Sequence, residues 1–239
     1  MPISRNSRGF LISSDAWGGP ALGLETEKLK SCIEELRVQG YENVFGRYPE
    51  FKESDLKCLE AIPDLRSAAF WDITLGDISS IYHLPYLTYF RISGKRPPID
   101  FARLPSIQNL VVEHHKRDLG YTELSKLKML HLWRFKAPVR DVFEFHLPET
   151  VERLGIFWSN VEHLDGFGPC PNVRKLEIAR CRNLSSLGNL RENFPKLEHL
   201  FVKACGRLTA EEARRALKGH PNIQHAFAGK KLIIGDLIR

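Results

Sequence analysis

The 239 residues hold no Cys-x-x-Cys pair, no long apolar run and no concentrated block of basic residues, and each absence removes a class of protein. Five cysteines, Cys32, Cys58, Cys170, Cys181 and Cys205, form an odd, widely spaced set, which argues for reduced thiols over a disulfide framework or a zinc site. Near the start, Met1 to Leu24 carries Arg5 and Arg8 but only Phe10-Leu11-Ile12 as an apolar run. That run is too short for a signal-peptide core and far short of a bilayer span. The expectation is a cytoplasmic chain without a membrane partner. A formal charge of +6 and a pI near 9.1 bias its partners toward acidic surfaces, without the Lys/Arg blocks of nucleic-acid arms.

Catalytic signatures are missing as well. There is no Gly-x-x-x-x-Gly-Lys-Ser/Thr, no His-Glu-x-x-His and no Gly-x-Ser-x-Gly. His114-His115 suggests a metal or acid–base pair, but adjacent residues of an extended chain point to opposite sides. His115-Lys116-Arg117-Asp118-Leu119 echoes a kinase catalytic loop faintly, and the glycine-rich loop and Asp-Phe-Gly that such a loop needs do not occur. Gly166-x-Gly168 runs into Pro169, which is turn chemistry. The reading is therefore of a binding protein, not an enzyme, with no catalytic residue, metal site or cofactor expected.

What the chain does have is a repeat, on an ordinary globular composition of 43% hydrophobic and 27% charged residues. Segments beginning at Leu65, Leu87, Ile107, Leu127, Val151, Val173, Leu197 and Ile223 are spaced by 22, 20, 20, 24, 22, 24 and 26 residues. The fourth place of each segment is Ala68, Phe90, Leu110, Leu130, Leu154, Leu176, Leu200 or Ala226, and the sixth is Phe70, Ile92, Val112, Leu132, Ile156, Ile178, Val202 or Ala228. All are apolar, as a strand with one buried face requires. Pro63, Pro85, Pro105, Pro171, Pro195 and Pro221 each stand two residues before a segment start, and Pro148 three before. Proline there is expected to end the preceding crossing and to force extended backbone into the next strand.

From Leu65 to Ile233 the pattern resembles the leucine-rich-repeat family, whose consensus is Leu-x-x-Leu-x-Leu-x-x-Asn/Cys-x-Leu. The best copies are Val173 to Leu184 (VRKLEIARCRNL) and Leu197 to Leu208 (LEHLFVKACGRL). In them Cys181 and Cys205 take the Asn/Cys place, which the resemblance implies is a buried turn position. Ile73, Lys95, His115, Phe135, Ser159 and Lys231 hold that place elsewhere, so the turns should be irregular. The resemblance implies an α/β solenoid of about eight strands, with a curved parallel sheet on the concave face. The expected domains are an N-terminal segment and cap at 1–64, repeats at 65–233 and a C-terminal cap tail at 234–239. Thr26 to Gln39 reads as a cap helix with Leu29, Ile33 and Leu36 on one face and Gly40 beyond its end, and Ser54 to Ala61 as a second short helix. Tyr41 to Phe51 fits a degenerate first repeat. Thr209-x-x-Glu212 opens a helix through Lys218, and Lys231 to Ile238 offers a last strand.

Alternation along each strand then fixes a surface. If the fourth and sixth places face the core, the third, fifth and seventh look out, and the eighth marks the strand exit. Trp71, Tyr89, Arg91, His131, Trp133, Arg134, Arg153, Phe157, Trp158, Arg180 and Phe201 fall on these columns and form the expected partner-binding set. Large aromatics interleaved with Arg and His are what binding hot spots are rich in. The alternative for Trp133 and Trp158 is that they fold over a turn and plug the core. The leading function is recognition of a protein with an acidic patch. Size and organisation resemble immunity proteins that neutralise bacterial toxin domains, or a substrate-binding adaptor. Nucleic-acid binding is the competing class, and Glu113, Glu177, Asp72, Glu152 and Glu198 interrupt the basic face it would need.

Overall fold

The computed structural model describes residues 3–16, 19–137, 144–229 and 231–234. The chain forms two compact units, Met1–Val112 and Glu113–Arg239, each built on a mostly parallel sheet with few helices. The division falls inside the run of repeats.

The first unit opens with antiparallel strands β1 (Ser4–Arg5), β2 (Leu11–Ala16) and β3 (Gly19–Gly23). From β3 onward the pairing is parallel, through β4 (Asn43–Arg47), β5 (Ser67–Thr74), β6 (Tyr89–Lys95) and β7 (Asn109–Glu113). The expected cap helix forms as a 3-10 turn, Thr26–Lys28, leading into α1, Leu29–Gln39. Gly40 ends it in the left-handed conformation at φ 67°. This helix joins two parallel strands, β3 and β4, as a parallel pairing demands, so the segment at 1–64 is as much strand as helical cap. Its buried face is Cys32, Glu35 and Leu36, not Leu29 and Ile33. The second helix expected at Ser54 to Ala61 is a 3-10 turn, Lys57–Ala61, which buries Leu59. Tyr41 to Phe51 does contain a strand of the parallel ladder, β4.

In the second unit β8 (Met129–Trp133), β9 (Arg153–Phe157), β10 (Lys175–Ala179), β11 (His199–Lys203) and β12 (His225–Ala228) pair in parallel and in sequence order. A final strand, β13 (Lys231–Ile234), turns back antiparallel onto β12. Two helices lie in the crossings, α2 (Leu190–Asn193) and α3 (Ala210–Leu217). Thr209 caps α3 as its sequence implies, its Oγ1 accepting the Glu212 N–H at 3.1 Å. Lys230 and the tail 235–239 lie outside the described residues.

All eight strands expected from the repeat are found, and the sixteen fourth- and sixth-place residues are all buried. Each first-place residue from Leu65 to Leu197 is buried too, while Ile223 is only half-buried. The prolines act differently from expectation. Leu65 N donates to Ile62 O (3.3 Å), Leu87 N to Leu84 O (3.3 Å), Ile107 N to Leu104 O (3.2 Å), Val173 N to Cys170 O (3.3 Å) and Leu197 N to Phe194 O (3.0 Å). Each bond closes a four-residue turn with proline second, where its fixed φ is pre-set for the turn. Proline therefore turns the chain one step before the strand begins.

Candidate functional site

The strand exits decide where the outward side chains go. In the second unit Arg134, Trp158, Arg180 and Ala204 all occupy the eighth place in the left-handed conformation, with φ of 54°, 53°, 59° and 56°. Backbone bonds hold the turn: Arg134 N donates to Phe157 O (2.8 Å), Trp158 N to Ala179 O (2.9 Å) and Arg180 N to Lys203 O (2.9 Å). A left-handed residue costs a non-glycine on the order of 1–2 kcal/mol, so these turns are sustained by the ladder and by burial of the next residue along the chain. That ninth-place residue drops into the interior: Phe135, Ser159, Cys181 and Cys205 are all buried. Ser159 Oγ donates to Phe135 O at 2.6 Å, and the Cys181 thiol approaches Ile156 O and Ala179 O at 3.6 Å each. The turn thus leaves seventh and eighth side chains together outside while the ninth seals the core.

This geometry builds a layered cluster. Trp133 of β8 stacks on Trp158 with ring centroids 4.8 Å apart and planes 28° from parallel. Phe157 of β9 touches Trp133 at 5.4 Å and meets His131 edge-on at 5.2 Å. The Arg180 guanidinium lies over the other side of the cluster, 5.1 Å from the Trp158 ring centre. Trp158 is 45% exposed, while Trp133, Phe157 and His131 are half-buried. Neither tryptophan plugs the main core. Gly155, paired in register with His131, makes the cluster possible, because an added Cβ would stand 2.5 Å from the Phe157 ring and 2.6 Å from His131. Phe201 is half-buried with Lys175 over its ring at 5.4 Å, and Lys175 also pairs with Glu177. Arg134 is bound to Glu113 at 3.0 Å, and Arg153 is exposed.

The remaining candidates, Trp71, Tyr89 and Arg91, belong to the first unit and sit differently. Leu11, Ala21, Phe45 and Ala69 form a small buried cluster on the outward face, and Trp71 and Tyr89 pack against it, as does Ile3. Trp71 stacks on Phe45 at 5.8 Å, and Arg91 lies over Trp71 at 5.2 Å. Strict alternation fails here: fifth-place Ala69 and Val111 and third-place Ser67 are buried. Over Ala69 the added cover comes from Leu11 of β2 and Ala21 of β3, short strands whose LISSDA and GPALG carry no period-2 signal.

Sequence reasoning also missed an aromatic knot at the turns of the second unit. His114, Tyr121, Phe135, Phe145 and Phe167 contact one another at 5.0–6.3 Å. His114 serves this knot, and Asp118 accepts the His115 N–H at 3.0 Å, closing a turn where a catalytic loop was echoed. Burial pushes the Cys58 and Cys170 thiols up to about 12. Cys181, hydrogen-bonded with the Cys205 thiol and buried, is also raised, so it is a poor nucleophile. Among the described residues no three His, Cys, Asp or Glu side chains converge as a metal ion needs, and no helix is long and apolar enough to cross a membrane. No family model matches the chain and no curated protein is similar to it in sequence, so the chemistry of this face has to speak for its partner.

Proposed function

We propose that the chain is a non-catalytic leucine-rich-repeat solenoid that grips a protein partner through the outward sheet face of its second unit. The observation that carries this reading is Trp158, 45% exposed, held by a strained turn against Trp133 and flanked by arginine. Exposing a large aromatic costs solubility, and holding it rigid removes the entropy that a partner would otherwise have to spend on ordering it. His131, Trp133, Phe157 and Phe201 extend the anchor, and Arg134, Arg153 and Arg180 supply orientation around it. A bacterial toxin domain with an acidic patch is the partner class that the sequence resemblance brings forward.

The test compares the wild-type chain with a Trp133→Ala/Trp158→Ala double variant, both immobilised and offered extract from the native host. Any protein retained by the first alone is purified and titrated against both. Binding should weaken by about 2 kcal/mol or more, the scale of a hot-spot truncation. Equal binding by the double variant would move the site off this face. A partner that proves to be nucleic acid, with affinity falling steeply as salt rises, would reject protein recognition. If the partner is a toxin, co-expression of the wild type and not the variant should relieve its growth arrest.

A further inference from the structure

Beside Trp158 the strand exits enclose a cleft of about 450 Å³, and its chemistry narrows the partner beyond the reading above, on which it rests. Trp158, Arg180, Arg182 and Ala204 line it together with Ser159, Asn160 and Asn183. The space has a simple origin. Successive eighth places are Arg134, Trp158, Arg180 and Ala204, so the column of long side chains stops at a methyl group and leaves one flank of Arg180 open.

The uncharged polar side chains of the lining are spent on the fold. Asn160 holds Ala137 through both amide atoms, its Oδ1 accepting Ala137 N at 2.8 Å and its Nδ2 donating to Ala137 O at 3.2 Å. Asn183 Nδ2 donates to Asn160 O at 3.4 Å, and Ser159 Oγ donates to Phe135 O. The guanidiniums are not spent. Elsewhere in this unit Arg134 pairs with Glu113, Arg174 with Glu198, Lys128 with Glu152 and Lys175 with Glu177. Among the described residues neither Arg180 nor Arg182 has a carboxylate in ion-pair range. Arg180 is moreover held over the Trp158 ring, and a guanidinium stacked on an aromatic by its face keeps its N–H edge for a fork to two oxygens. A preorganised fork next to a second cation, in a cleft with an aromatic wall, suits a planar carboxylate with an apolar neighbour.

We infer that this cleft receives an Asp or Glu side chain of the protein partner, seated between Arg180 and Arg182, with the adjoining residue of that segment covering Trp158. A phosphate backbone fits less well. It needs a run of cations along several phosphates, and the neighbouring Arg134, Lys128, Lys175 and Arg174 are already paired with glutamates, whereas one carboxylate needs only the local pair of cations.

The probe is a displayed library of random heptapeptides, selected on the full chain and on variants whose folding is checked by circular dichroism. The wild type should enrich peptides with Asp or Glu next to an apolar residue. Arg180→Ala/Arg182→Ala should lose the acidic preference and keep the apolar one, which Trp158 supplies. Arg180→Glu/Arg182→Glu should turn the preference to Lys and Arg. For one enriched peptide, the double alanine variant should weaken binding about 10-fold or more, as when an ion pair at a recognition site is broken. Acidic preference unchanged in the alanine variant would overturn the cleft as its seat. Enrichment of apolar peptides without acids would overturn the cleft and leave protein recognition standing. No enrichment by the wild type would reject both, and so would a single-stranded oligothymidylate that binds more tightly than any peptide and depends on Arg180.

Discussion

Trp71 with Arg91 in the first unit and Trp158 with Arg180 in the second are the same chemical pair at adjoining strand places, yet one closes a small core and the other faces outward. The difference lies in what covers the sheet. In the first unit β2 and β3 bring Leu11 and Ala21 onto the outward face, where they meet Phe45 and Ala69 and give Trp71 and Tyr89 something to lie on. In the second unit no such cluster forms among the described residues, and the rings rest on one another. An aromatic beside an arginine is therefore not a binding signal by itself. Exposure after folding is what separates a presented ring from a strut.

The largest effect should come from removing the support on the covered side. Phe45→Ala, at a 1% exposed position, should cost about 3–5 kcal/mol in chemical denaturation, whereas Trp158→Ala should cost about 1 kcal/mol or less, the worth of one aromatic contact. Similar losses for the two would erase the distinction between a strut and a presented ring. Next comes Gly155→Ala. Its Cβ would collide with Phe157 and His131, so folding should weaken by about 1–3 kcal/mol and tryptophan emission should shift as the Trp133 stack is displaced. Unchanged emission would mean the cluster is looser than its distances imply.

The first unit should show a pH effect through Glu25. Burial pushes the Glu25 carboxyl up, but hydrogen bonds from Arg5 (2.8 and 3.1 Å) and Lys28 outweigh it and hold the group below its ordinary value of 4.5. A carboxyl depressed in the folded state contributes stability that is fully present above its unfolded value and is lost as pH falls through the folded one. Amide protection factors in residues 3–13, corrected for the intrinsic exchange rate, should accordingly fall below pH 4.5, and Glu25→Gln should flatten that slope. The second unit should show no such dependence on Glu25. The smallest effect is Ala204→Gly. Relief of the left-handed turn, offset by the greater freedom of unfolded glycine, should stabilise by up to about 1 kcal/mol, read as a rise in Tm.

The repeat was legible because burial imposes a period. Leu154 and Ile156, or Leu176 and Ile178, have to alternate with outward residues if one face of a strand is covered, and the spacing of Val151, Val173 and Leu197 had to return each strand to the same height. The Thr209 cap was legible for a similar reason, since its partners lie within one turn. The antiparallel start was not, because β1 to β3 are short and their pairing depends on partners elsewhere in the chain rather than on a pattern of their own. Of the candidate site, the columns were readable and their fates were not.

The sequence alone determined the eight repeat strands, their order and the fourth- and sixth-place residues they turn inward, since these follow from local periodicity and from backbone groups that must pair along a parallel ladder. Only the tertiary structure decided that Trp71 is sheltered and Trp158 presented, that Gly155 makes room for two rings, and that Ala204 leaves Arg180 an open flank. Those outcomes depend on left-handed turns at Trp158 and Arg180 and on contacts between residues 20 or more positions apart, and no period in the chain encodes either.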